Sequence, residues 1–341
     1  MGQSMTTGTG VAAPVAAPGE LFICDYPWAA PKDDMASMEH PLFTLATRPD
    51  RRILRYTHGE AQIEVTPSVK GLATIHDKDV LIFCVSQLMA ALNAGLPTSP
   101  VLHLRAHDLL VATNRDTSGD GYRRLREALD RLSGTRIVTN IETGGIESTR
   151  GFGLIDAWEI LRKARGGRMV LVTITLSDWI YRSVVSKSVL TLHRDYFRLR
   201  KPLERRIYEI ARKHCGRQSE WHVGLETLLK KTGSTSPRRV FRRMIRDIGA
   251  ADSLPDYTVA LEEGDLVRVR ARRPRTGRDG PVLDTDIHER VRAVAPGLDP
   301  YRLEADWRHH WETSGRPALR SPNAAFVAFA KARSKRSTAA D

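Results

Sequence analysis

Ser236-Pro-Arg-Arg-Val-Phe-Arg-Arg-Met-Ile-Arg-Asp-Ile248 decides how this chain is read. Val240, Phe241, Met244, Ile245 and Ile248 recur at helical spacing, while Arg239, Arg242, Arg243 and Arg246 follow i, i+3, i+4, i+7 on the opposite side. Ser236 is placed to cap the first turn through its hydroxyl, and Pro237 to follow it, where a missing N–H costs nothing. A merely solvated face usually interleaves Glu with Lys or Arg, since like charges at i, i+4 repel by a few tenths of a kcal/mol. Here no acid intervenes before Asp247. The pattern predicts a helix with one apolar and one arginine face, suited to a phosphate backbone.

Working outward, the chain has 341 residues, more than one core usually serves, so two or three domains are expected. The formal charge is +13 and the pI near 9.9. Much of the excess is local: residues 198–246 hold fifteen Lys or Arg against four Glu. Such a surplus attracts polyanions and makes binding salt dependent, because each neutralised phosphate releases counterions. The sequence has no apolar run of about 18 residues, no signal-type start and no lipidation motif, which disfavours a membrane partner. The expected location is the cytoplasm. Cys24, Cys84 and Cys215 are odd in number and widely spaced, so neither a disulfide framework nor a zinc knuckle is indicated.

The same order of elements occurs twice. Val101-Leu-His-Leu-Arg-Ala-His-Asp-Leu-Leu110, a polar turn through Asp120, and Tyr122-Arg-Arg-Leu-Arg-Glu-Ala-Leu-Asp-Arg-Leu132 read as strand, helix, turn and second helix. A shift of 119 residues sets Leu104 on Val223, Leu109-Leu110 on Leu228-Leu229, Thr113 on Thr232 and Tyr122-Arg-Arg-Leu125 on Phe241-Arg-Arg-Met244. Hairpin candidates follow each copy. The first runs from Arg136-Ile-Val-Thr-Asn-Ile141 to strands near Leu154 to Leu161 and Met169 to Leu176; in the second, residues 257–261 and 266–270 flank a turn with Gly264. Helix, turn, recognition helix and hairpin describe a winged helix.

The expected fold class is therefore α+β and helix-rich: two tandem winged-helix domains with antiparallel hairpin wings, plus a small helical C-terminal segment. The expected division is a mostly disordered tail over 1–37, winged-helix domain 1 over 38–176, winged-helix domain 2 over 177–273, a linker over 274–285, the helical segment over 286–333 and a disordered tail over 334–341. Trp307, Trp311, Phe326 and Phe329 are expected to form a mini-core in the helical segment.

Catalytic chemistry finds little purchase. There is no GxxxxGK[ST] loop, and Gly151-Phe-Gly153 lacks the third glycine of a dinucleotide fingerprint. His103 and His107 have i, i+4 spacing without the glutamate of a zinc-protease helix, so no metal or other cofactor is expected. His214-Cys-Gly-Arg217 fits the HxxR of tyrosine recombinases in form, but at a helix end before a glycine turn. That enzyme class is the weaker alternative, and a winged-helix transcriptional regulator the stronger one. No catalytic residue is expected.

Ala30-Pro-Lys-Asp-Asp34, Ser37-Met-Glu-His-Pro-Leu-Phe43, Thr175-Leu-Ser-Asp-Trp179 and the long segment from Arg194-Asp-Tyr-Phe through Lys201-Pro-Leu-Glu-Arg-Arg-Ile-Tyr-Glu to Gly216 resemble the replication initiator protein A group of bacterial plasmids. The resemblance spans residues 20 to 273. It implies a sequence-specific protein that binds repeated elements of double-stranded origin DNA, helps open the duplex and recruits host replication proteins: an initiator, a helicase or a clamp. It also admits a homodimer. Some related initiators carry clamp-docking peptides, but Gly19-Glu-Leu-Phe-Ile23 lacks the leading glutamine.

On this reading residues 237–248 enter the major groove, with Arg238, Arg239, Arg242, Arg243 and Arg246 divided between phosphate and guanine contacts. Lys230 and Lys231 are expected over phosphates, and Arg268 and Arg270 on the second wing. Residues 101–134 hold six Arg against five Asp or Glu, so Arg123, Arg124, Arg126 and Arg131 are expected to position rather than read, with Arg150 on the first wing.

Overall fold

The computed structural model describes residues 22–26, 29–58, 61–140, 150–162, 169–216, 218–272 and, further on, 281, 283–284, 287–296, 298–314, 319 and 321–337. It opens with β1 (Phe22–Ile23), β2 (Lys32–Asp34) and α1 (Met35–Glu39), then the hairpin strands β3 (Leu54–His58) and β4 (Ala61–Thr66). α2 (Lys78–Asn93) follows and is buried on nearly every side, because Val80, Leu81, Ile82, Phe83, Cys84 and Val85 leave it no polar face.

The disordered tail expected over 1–37 needs correction. Residues 1–21, 27 and 28 lie outside the described residues, but the described part of 22–37 is ordered into β1, β2 and α1. Phe22 is buried in β1, and Lys32, Asp33 and Asp34 are buried in β2. Asp34 also caps α1, accepting from Ser37 N at 2.8 Å. Lys32, Asp33 and Asp34 can be buried because each meets a counter-charge or a hydrogen-bond partner. Phe22, part of the segment compared with a docking peptide, is likewise committed to the chain's own core.

The first repeat contains β5 (Val101–Arg105), α3 (Ala106–Ala112) and α4 (Gly119–Gly134), then β6 (Arg136–Thr139), β7 (Arg150–Gly153), β8 (Ile155–Arg162) and β9 (Met169–Leu176). Leu125, Ala128, Leu129 and Leu132 form the buried stripe of α4. The strands sort into two sheets. One runs β1-β5-β9-β8, with β1 parallel to β5 and the rest antiparallel; the other is β3-β4-β6-β7. The first wing is therefore the β8–β9 hairpin. β6 and β7 extend the β3–β4 hairpin instead, so Arg150, which opens β7 opposite Thr139, does not stand on that wing as expected.

The second repeat comprises α5 (Asp178–Val185), β10 (Val189–Thr191), a 3-10 turn at Arg194–Arg198, α6 (Pro202–Cys215), β11 (Glu220–Gly224), α7 (Leu225–Thr232), α8 (Arg238–Ala251), β12 (Tyr257–Leu261) and β13 (Leu266–Ala271), with the sheet ordered β11-β13-β12. Val101 and Glu220, Ala106 and Leu225, and Gly119 and Arg238 open corresponding elements, each pair 119 positions apart. One local expectation shifts. Pro237, not Ser236, occupies the cap position of α8, with its carbonyl accepting from Val240 N at 2.8 Å and no side-chain cap.

α9 (Ile287–Val294), α10 (Pro300–Thr313) and α11 (Pro322–Ser337) build a separate core from Ile287, Val291, Leu303, Trp307 and Phe326. α11 runs through Ser337, past the boundary expected at 333, because alanine and long unbranched side chains favour helix to its end. Residues 274–280, 282 and 285 of the expected linker lie outside the described residues. The helical segment docks on the body through Lys32, whose ammonium donates to Tyr301 Oη and Thr191 Oγ1, each at 2.7 Å.

Candidate nucleic-acid interface

α8 turns Phe241, Ile245 and Ile248 into the core of the second repeat. This orientation leaves Arg239, Arg243 and Arg246 exposed on the far side, and none of them has an ion-pair partner among the described residues. Arg238 and Arg242 lie toward the wing, where Asp265 holds both: Arg242 Nε donates to Oδ1 at 2.7 Å and Arg238 Nη2 to Oδ2 at 2.6 Å. Hydrogen bonding from Arg242 keeps the Asp265 carboxyl at about 2. Asp265 sits at φ +61° beside Gly264 at +70°, a left-handed pair that folds the β12–β13 turn back toward α8. Three of the five expected arginines are thus open to a ligand, while two are shared with a carboxylate.

The surrounding basic residues divide in the same way. Lys230 is exposed at the end of α7, but Lys231 is only 11% exposed and bound to Glu39, so it braces the fold rather than facing solvent. On the wing, Arg268 lies 2.6 Å from Glu262, and Arg270 lies 3.2 Å from Glu220 across the β11–β13 ladder. In the first repeat Arg123 pairs with Asp120 and Glu127, and Arg124 with Asp120, within one or two turns of α4. Arg131 is 19% exposed and clamps Asp77 ahead of α2, with contacts of 2.7 and 2.8 Å. Arg126 remains exposed with no ion pair among the described residues. The side chain of Arg150 lies outside the described residues. Asp265, Glu39 and Asp77 were missed in sequence because each is brought to its arginine or lysine only by tertiary folding.

Between the two repeats lies a buried polar frame. Lys78 Nζ on α2 is 2.6 Å from Asp33 on β2 and 3.0 Å from Glu209 on α6, with all three side chains shut from solvent. Tyr196 Oη donates to the other oxygen of Glu209 at 2.6 Å. Arg206 donates to the carbonyls of Ser37 (2.9 Å), Met38 (3.0 Å) and Lys231 (2.8 Å), tying the N-terminal segment to α6 and α7. Met38 and Ile82 join the apolar core of the second repeat from the other side. The signature phrases around residues 30–43 and 194–216 therefore supply much of the polar frame between the two repeats.

The residues weighed for catalysis fall on different elements. His103 stands on β5, with Nδ1 3.2 Å from Thr173 Oγ1, whereas His107 is on α3, so the two do not share a helix face. His214 stacks on Trp221 with ring centroids 4.8 Å apart, and Arg217 lies outside the described residues. Among the described residues no His, Cys, Asp or Glu cluster could hold a metal, and no helix is long and apolar enough to cross a membrane. Cys24, Cys84 and Cys215 are buried free thiols.

The two helix-turn-helix units share one polar frame, and residues 32–259 match the family Replication initiator protein A. The chain belongs to the replication initiator protein A family. It is similar to a putative replication protein of Wigglesworthia glossinidia brevipalpis, 38% identical over 244 residues that make up 70% of this chain and 88% of that one. Among solved structures it is similar to domains 2 and 3 of RctB. One crystal structure of selenomethionine derivatives aligns with a TM-score of 0.45 at 17% identity, over 72% of this chain and 98% of the other. A second, of RctB residues 155–483, aligns with a TM-score of 0.46 at 15% identity, over 68% and 95%. In this replication initiator the family match takes in the frame and both recognition helices. It ends within β12, ahead of the three tail helices.

Proposed function

We propose that this replication initiator binds repeated elements of double-stranded DNA at a plasmid origin through α4 and α8, opens the adjoining duplex and presents it to host replication proteins. The observation that carries the proposal is the stripe of Arg239, Arg243 and Arg246: exposed, without acidic partners among the described residues, and opposite the buried Phe241, Ile245 and Ile248. A guanidinium free of protein partners can neutralise a phosphate or fork onto guanine O6 and N7. Arg242, held by Asp265, is pre-aimed rather than free, and α4 supplies the second, less basic contact. The buried frame fixes the spacing between the two, as recognition of repeats separated by a set distance requires.

The test is a mobility-shift titration of the full chain against duplexes carrying the repeats that flank its gene, with Arg239→Ala/Arg243→Ala as the variant. Binding should fall by at least tenfold, with a shallower salt dependence, because roughly one unit of slope goes with each lost phosphate contact. Unchanged affinity and slope would reject the proposal. Directly repeated footprints beside an AT-rich stretch fit an initiator, whereas a single promoter palindrome would point to a regulator.

A further inference from the structure

Beside α8, on the side away from the wing, the first domain approaches the second. A cleft of about 430 Å³ is walled by residues of the 44–54 segment, the 233–236 turn before α8, the start of α6 and the Met244, Asp247 and Ile248 side of α8. The approach is close. A Cβ at Gly233, itself at φ +68°, would lie 2.7 Å from Pro41 Cβ and 3.0 Å from Tyr56 Oη. The helix-turn-helix turn of the second domain thus rests on the first domain, and the 44–54 segment forms the opposite bank of the cleft.

That bank is rigid and basic. Asp50 is 6% exposed and organises it, accepting from Thr44 Oγ1 at 3.0 Å and from Arg52 Nε and Nη2 at 2.8 and 2.7 Å, while its carbonyl accepts from Leu72 N at 2.7 Å. The sole acid of residues 47–53 is therefore buried and matched by Arg52. Arg48 and Arg51 project from the same segment, exposed and with no ion pair among the described residues. A solvated loop usually keeps its cations mobile or paired. Here the backbone is pinned and two guanidinium groups stand unpaired beside the bank of a recognition helix.

We propose that residues 47–53 form a further phosphate-contacting strip for duplex DNA, with Arg48 and Arg51 gripping the backbone on the side of α8 opposite the wing. The inference rests on the duplex-binding reading of α8 given above. DNA laid on Arg239, Arg243 and Arg246 is then flanked by the β12–β13 wing on one side and by the first domain on the other. The first domain thereby strengthens the grip of the second recognition helix, in addition to using its own α4. Contacts to phosphate carry no sequence information, so the strip adds affinity and not selectivity.

The experiment measures fluorescence anisotropy of a labelled random-sequence duplex with the full chain across a salt series, comparing wild type, Arg48→Ala/Arg51→Ala, Arg48→Lys/Arg51→Lys and Arg239→Ala/Arg243→Ala. The alanine loop variant should lose affinity by roughly ten- to hundredfold at about 0.1 M salt and show a slope shallower by about 1.8, the equivalent of two phosphates. The lysine variant should keep most of the affinity, since a phosphate accepts either charge. If the alanine loop variant matches wild type in affinity and slope while the α8 variant loses binding, the strip is refuted and the duplex reading stands. If neither variant loses binding, the duplex reading fails and the strip fails with it.

Discussion

Asp265, on the turn of the second wing, accepts from Arg242 Nε at 2.7 Å across 23 residues of sequence, and so joins the wing to α8. On the proposed duplex-binding reading, a carboxylate here weakens general attraction to phosphates while it holds Arg242 in one pose. Asp265→Asn keeps a residue type that tolerates positive φ and removes only the charge. It should raise affinity for random-sequence duplex by roughly three- to tenfold at about 0.1 M salt, with a steeper salt slope, since one repulsive charge disappears. Discrimination between repeat-containing and random duplex should fall. Competition titrations read both quantities, and a variant with unaltered random-duplex affinity would separate Asp265 from the binding surface.

The first recognition helix is governed by its own acids. Arg123 and Arg124 share Asp120, and Arg123 also meets Glu127, so only Arg126 of this group stands apart from carboxylates among the described residues. Arg126→Ala should therefore weaken duplex binding more than Arg123→Ala or Arg124→Ala, by roughly three- to tenfold if one phosphate contact is lost. Asp120→Asn should strengthen it. Equal losses for the three arginine variants would mean that the acids release their partners on binding.

These two helices also mark how far the sequence could be read. The 119-residue shift placed α3, α4, α7 and α8, because helical periodicity and helix ends are local properties. The Arg239 face was visible for the same reason. Which hairpin forms the first wing was not: β6 and β8 are both good strands, and it is the pairing of β6 with β4, distant in sequence, that leaves β8 and β9 as the hairpin. Nor was the fate of individual cations legible. Lys231 and Arg131 look as basic as Lys230 and Arg126, and only the folded positions of Glu39 and Asp77 take them out of play. The order of the N-terminal segment was illegible for a related reason, since Tyr301 and Lys78, which match Lys32 and Asp33, lie far along the chain.

Lys78 gives the frame a direct test. Its ammonium sits between Asp33 and Glu209 with no access to water, so Lys78→Met leaves two buried carboxylates without their cation. Removing one partner of such a group costs about 3–5 kcal/mol, far more than the loss of a surface pair. Urea unfolding of Lys78→Met should show a midpoint lowered accordingly. Because Asp33, α2 and α6 meet at this point, the single transition should also split, with the second repeat and the N-terminal segment separating early. A variant within about 1 kcal/mol of wild type would show that the carboxylates are held neutral or are satisfied by other donors.

Acid sensitivity should come from two histidines near this frame. Burial lowers His40 and His76 to about 4 from an ordinary value of 6.5, with neighbouring Lys213 and Arg206 opposing a charge on His40, and Arg205 and Arg115 opposing one on His76. Glu39, Asp77 and Asp79 pull the other way without reversing the shift. Below 6.5 the unfolded chain takes up protons that the folded chain refuses, so folding loses stability as pH falls from 6.5 toward 4 and is indifferent to these groups above 6.5. The loss should be on the order of 1–2 kcal/mol per histidine over that window, after allowance for their partial exposure. Urea unfolding at neutral pH and at pH about 5 measures it, and His40→Gln/His76→Gln should flatten the difference. An equal decline in that double variant would assign the acid sensitivity to groups other than these two histidines, since the ion-paired carboxylates of Glu39, Asp50 and Glu304 take up protons only well below a pH of about 5.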